Sequence, residues 1–146
     1  MNAVAAVRPP AWFWVVSALA LVWNLIGLAM FYMQYTMTPE QAAQLPENQR
    51  MLLEAMPGWV WAVDAVAVIA GTLGSLLLLM RKRSAELVLW VSLVAVIVLF
   101  AYCLFPGRML EVLGPAEALP MPLTVTVIAA FLVWFARKSI NRAWIT

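Results

Sequence analysis

Asp64 and Asn24 are the polar residues most out of keeping with their neighbours in this sequence of 146 residues. Asp64 lies in Trp59-Val60-Trp61-Ala62-Val63-Asp64-Ala65-Val66-Ala67, and Asn24 in Leu21-Val22-Trp23-Asn24-Leu25-Ile26. A carboxylate enclosed by apolar side chains can bind a proton or a cationic group. An asparagine amide in the same setting is a donor that needs a partner. Tyr32 and Tyr102, with Thr124 and Thr126, fall where they could line the same region. Asp64, Asn24, Tyr32 and Tyr102 are therefore the candidate polar site. A plainer role for the first two is an Asp–Asn hydrogen bond that holds two helices in register, since polar residues commonly join helices in lipid.

No other reactive set is present. The chain has no histidine, which removes His-ligated haem and zinc and every Ser-His or Cys-His nucleophile pair. Its single cysteine, Cys103, cannot form an internal disulfide or a CxxC pair. No cofactor and no metal are expected. Nor is an enzyme, which would need a cluster of titratable groups near one interface.

The elements that must position Asp64 and Asn24 are long and apolar. Of all residues, 66% are hydrophobic and 11% charged, against roughly 45–50% and about 25% in soluble domains. Four stretches, approximately 12–33, 59–80, 87–105 and 119–136, reach or approach the ~20 residues that cross a bilayer. Helices satisfy their own backbone groups in hydrocarbon. The expected fold is thus all-α, an integral membrane four-helix bundle forming one domain over 1–146. Pro120 and Pro122 fall in the first turn of the fourth span, where proline costs least. The first span is longer than the core of a secretion signal and is expected to remain as an anchor.

The net charge of +2 could hint at a nucleic-acid partner, but the placement of the charges says otherwise. Arg8, Arg81, Lys82, Arg83, Arg137, Lys138 and Arg142 flank one side of the spans. The other two loops carry Arg50 and Arg108 against Glu40, Glu47, Glu54, Glu111 and Glu117. The positive-inside rule then places both termini in the cytoplasm, and no nucleic acid is expected. The external loops are short helices rather than plain linkers. Thr38-Pro39-Glu40-Gln41 is a capping box with proline at the first helical position. It predicts a short periplasmic interfacial helix in the first loop, restarted by Pro46 towards Met56. Pro106-Gly107 ends the third span, and Arg108 to Leu113 is long enough for one turn.

Close approach through small residues decides which helices touch in lipid. In the first span Ser17, Ala20, Asn24 and Gly27 share one face, and in the second Asp64, Ala67, Gly71 and Gly74 recur at the same spacings. These stripes are expected to face each other in the tightest contact of the bundle.

Leu21-Val22-Trp23-Asn24-Leu25-Ile26-Gly27, Met37-Thr38-Pro39-Glu40, Met56-Pro57-Gly58-Trp59, Gly71-Thr72-Leu73-Gly74 and Glu111-Val112-Leu113-Gly114-Pro115 carry a resemblance. The chain is similar to small bacterial four-transmembrane-helix proteins of poorly characterised function, often labelled "sugar transporter". The resemblance implies a protein of the bacterial inner membrane and carries no active site with it. The sugar label finds no support in the residues, because Asn24 and a few scattered serines and threonines are too sparse for a sugar. The residues favour a non-enzymatic accessory or interaction subunit, partnered by the lipid bilayer and by a second copy or a larger membrane complex. The alternative is a small dimeric proton-coupled transporter using Asp64.

Overall fold

The computed structural model describes residue 5 and residues 7–146. Within them the chain is all-helical: α1 (Ala11–Tyr35), α2 (Pro39–Ala43), α3 (Glu47–Glu54), α4 (Gly58–Leu79), α5 (Ala85–Leu104), α6 (Met109–Leu113), α7 (Pro115–Ala118) and α8 (Pro120–Asn141). Four helices are long and apolar enough to cross a membrane, the fourth running from α7 into α8. Large apolar side chains such as Leu19, Leu73, Val94 and Val127 lie exposed around the perimeter. A soluble domain of this size could not tolerate that surface, whereas lipid covers it.

Local sequence explains several of the helix ends. Thr36 caps α1 by donating from its hydroxyl to the Tyr32 carbonyl at 2.7 Å, and Thr38 is extended before Pro39. The capping box then forms in full: Thr38 Oγ1 accepts from the Gln41 amide at 3.2 Å, and Gln41 Oε1 accepts from the Thr38 amide at 3.0 Å. Pro57, Pro115 and Pro120 each stand at a helix start. The fourth helix continues to Asn141, beyond the 119–136 read from apolarity. Charged residues end a hydrophobic run but not a backbone helix, and Ser139 on this extension is fully buried.

Helices α4 and α8 end in the same way. Lys82 N donates to Leu77 O at 2.9 Å and Trp144 N to Ser139 O at 2.9 Å. Each closes a Schellman turn whose left-handed residue is Arg81 (φ 57°) or Ala143 (φ 55°). A residue with a Cβ pays roughly 1–2 kcal/mol for that backbone, so neighbouring bonds must hold it. Arg81 Nε donates to Trp144 O at 2.6 Å and its Nη2 to Val7 O at 3.0 Å. Val7 N donates to Ala143 O, Arg83 N to Thr146 O and Thr146 N to Arg81 O, all at 3.0–3.1 Å. Both ends of the described chain are thereby tied to the α4–α5 turn.

The packing order differs from the one the small stripes suggest. The most extensive helix contact is between α4 and α5, ahead of α1 with α4 and α5 with α8. The reason lies in Gly74 and Gly71. A Cβ at Gly74 would stand 2.6 Å from the Leu89 side chain of α5. One at Gly71 would overlap Asn24 Oδ1 and stand 3.2 Å from Ser92 Oγ. Ala67 also turns to α5, its carbonyl accepting from Ser92 Oγ at 2.8 Å. The α4 stripe therefore serves two neighbours at once. Ser17 and Ala20 of α1 are buried, but at Gly27 a Cβ would meet only Val68 Cγ1, at 4.0 Å.

Candidate functional site

Helices α1 and α8 share no extended contact. They meet at the end that carries the described termini, where Phe13 of α1 stacks on Phe135 of α8 with ring centroids 5.6 Å apart. Trp12 lies 5.8 Å from Phe135 and 5.1 Å from Trp144. Phe13 and Phe135 are completely buried, and Ile145 of the tail nearly so. From there towards the opposite end the two helices separate while α1 stays against α4. A cleft of about 400 Å³ fills the space between them, floored by α4 and α5.

The cleft contains Asp64 and Asn24, with Ser92 and Gln34 as further polar lining. Trp23, Phe31 and Phe100 contribute rings, and Val96, Val125 and Ile128 are among its aliphatic walls. The contacts between α1 and α4 fix the level of each group. Phe31 meets Trp61 at 6.0 Å between ring centroids, and Gly27 faces Val68. Asp64 lies between these two levels, partly buried on α4.

Asn24 lies lower, beside Gly71. Its amide donates to Ala20 O at 2.8 Å and to Ser75 Oγ at 3.0 Å. The expected Asp64–Asn24 hydrogen bond is absent. The physical reason is register: antiparallel helices place Asn24 opposite Gly71, seven residues from Asp64 and so about 10 Å along the axis. Ser75 is the partner, itself donating to Gly71 O at 2.8 Å, and Thr72 Oγ1 reaches Asn24 O at 3.4 Å. Asn24 thus joins α1 to α4, and Asp64 stands apart from it.

The two tyrosines lie elsewhere. Tyr32 is 66% exposed on the outer surface of α1. Tyr102 packs edge-on against Trp59, 4.9 Å between centroids. Neither lines the cleft. The rings that do line it, Trp23, Phe31 and Phe100, were not singled out from the sequence, where they are indistinguishable from lipid-facing aromatics.

Both ion pairs among the described residues, Arg50–Glu54 and Arg108–Glu111, lie in the loops. No side chain donates a hydrogen bond to Asp64 among the described residues, and no Lys or Arg lines the cleft. Nor do three or more Cys, Asp or Glu come together there as a metal-ligating group. In the loops, the Arg108 guanidinium beside Glu111 holds that carboxyl below the usual carboxylate range, with hydrogen bonds of 2.9 and 3.1 Å. No family model, curated protein or solved structure matches the chain.

Proposed function

We propose that this chain is a non-enzymatic protein of the bacterial inner membrane that acts by binding, as an accessory or interaction subunit whose working surface is the α1–α8 cleft. The observation that carries this reading is the shape of the cleft. It opens sideways between two helices and is closed at one end by Phe13, Phe135 and Trp144. A single copy therefore holds a ligand or partner but offers no path from one side of the membrane to the other. Orientation follows from charge: the end bearing Arg81, Lys82, Arg83, Arg137 and Lys138 faces the cytoplasm with both termini. Loop helices α2 and α3 then lie at the periplasmic interface. A sugar is a poor occupant, because the lining offers few hydrogen-bonding groups against many apolar ones.

A photoreactive benzophenone at Ile128, in bacterial membranes, tests the reading. The expected result is a discrete adduct of defined mass that Gly27→Leu removes by filling the cleft. Adducts to bulk phospholipid alone overturn it. The placement of Asp64 in the cleft favours one further reading, a dimeric proton-coupled transporter. There, Asp64→Asn in proteoliposomes abolishes flux; flux that survives rules Asp64 out as the coupling group.

A further inference from the structure

We infer that the cleft binds a lipophilic cation, its charged centre beside Asp64 and its hydrocarbon body along the walls towards Asn24. The inference rests on the cleft being the working surface and adds the chemistry of its occupant. Four observations converge on it.

The first is charge. Asp64 is the one ionisable residue in the lining, and no cationic side chain of the described chain reaches it. A carboxylate enclosed by low-dielectric walls attracts an incoming cation far more strongly than one in water. The second is the set of rings. Phe31 and Phe100 line the cleft within about one turn of Asp64, as judged from the Phe31–Trp61 and Trp59–Tyr102 contacts on either side. The face of an aromatic ring attracts a cation and repels an anion.

The third observation is what is missing from the walls. Below Asp64 they are mainly apolar, with Leu89, Val96, Ile128 and Leu132 beside Trp23, and the Ser92 hydroxyl there is spent on the Ala67 carbonyl. The Asn24 amide is already committed to Ala20 O and Ser75 Oγ. With that NH2 group spent, a ligand there gains mainly by burying hydrocarbon, and few polar groups are left for a hydroxylated body. The fourth is access and size. The opening between α1 and α8 faces the side of the bundle, from which an amphiphile dissolved in lipid enters without crossing water. A volume of about 400 Å³ lies within the range of roughly 300–1,000 Å³ typical of small-molecule sites.

The test uses the full-length protein in nanodiscs of zwitterionic lipid and radiolabelled tetraphenylphosphonium, whose charge does not vary with pH. Saturable binding of one cation per chain is expected, at least tenfold weaker in Asp64→Asn and restored to within a few-fold in Asp64→Glu. Phe100→Leu, which leaves the carboxylate in place, should weaken binding about threefold or more. Thermal unfolding of each variant shows that it is folded. The neutral isostere tetraphenylsilane should not compete. If it competes equally, or if folded Asp64→Asn binds as wild type, the cation assignment is overturned. Gly27→Leu separates that failure from failure of the cleft itself. Should it block binding of cation and neutral isostere alike, the cleft stands as a binding site with a different occupant. Should it leave tight cation binding untouched, the site lies elsewhere and both readings fall.

Discussion

At the basic end of the bundle, α1 is held by everything around it; at the opposite end, it is held by α4 alone. Phe13, Ser17 and Ala20 are buried among α4, α8 and the tail, whereas from Leu21 to Tyr35 no residue of α1 is. Small residues do not account for the contrast, because both halves carry them. What differs is a third element. The tail Ala143 to Thr146 folds back, inserts Trp144 and Ile145 beside Phe13, and is fixed through Arg81 to the α4–α5 turn. In a medium where hydrophobicity does not drive helices together, two helices joined by neither tail nor backbone bonds are free to part, and the cleft is that parting.

The change with the largest expected effect would make the closed end resemble the open one. Trp144→Ala removes a ring that touches both Trp12 and Phe13. Large-to-small aromatic substitutions in a core cost about 3–5 kcal/mol. Thermal unfolding in nanodiscs should show a correspondingly large fall. An unchanged unfolding temperature would mean that the tail is not what closes this end.

A pair of glycine substitutions sharpens the comparison at intermediate cost. Gly74→Leu forces a side chain into Leu89 at the α4–α5 contact, and overpacking of this kind costs typically about 1–3 kcal/mol. Gly27→Leu adds the same side chain where a Cβ meets only Val68 at 4.0 Å, and should stay within about 0.5 kcal/mol of wild type. Equal effects on unfolding would show that α1 packs as closely at Gly27 as α4 does at Gly74.

The long helices, the capping box at Thr38 and the helix starts at Pro39, Pro46 and Pro120 were legible in the sequence, because each is set by neighbours within a few residues. The pairing of small stripes was only half legible. Spacing put Ala67, Gly71 and Gly74 on one face of α4, but a face spans about 100°, wide enough for two partners, and α5 took most of it. The Asp64–Asn24 pairing failed for a related reason: spacing fixes a face but not the axial offset between two helices, which depends on loop length and on side chains such as Val68 opposite Gly27. The tail was the least legible. Ala143-Trp144-Ile145-Thr146 reads as an interfacial end, and its role depends on a left-handed Ala143 and on Arg81, which otherwise reads purely as an orientation charge.

The smallest expected effect separates the two ends by pH. At the basic end the arginine bonds go to backbone carbonyls, Arg81 to Trp144 O and Val7 O, which do not titrate. In the loops of the opposite end, Arg108 binds the carboxylate of Glu111 across the start of α6. The pair lowers the Glu111 pKa in the folded chain. Its contribution is therefore complete above the unfolded glutamate value of about 4.3 and is lost as the pH falls through the lower folded value. Because both groups are in water, the contribution is small. Hydrogen exchange of the amides from Met109 to Leu113, corrected for intrinsic rates, should rise as pH drops below about 4, with no matching rise at Trp144 to Thr146. In Glu111→Gln that acid-dependent rise should vanish, since the glutamine keeps its size but cannot lose a charge. A rise at both ends together would tie the loops to the closed end as one cooperative unit, and the open cleft would then share in a stability that its sparse contacts do not supply.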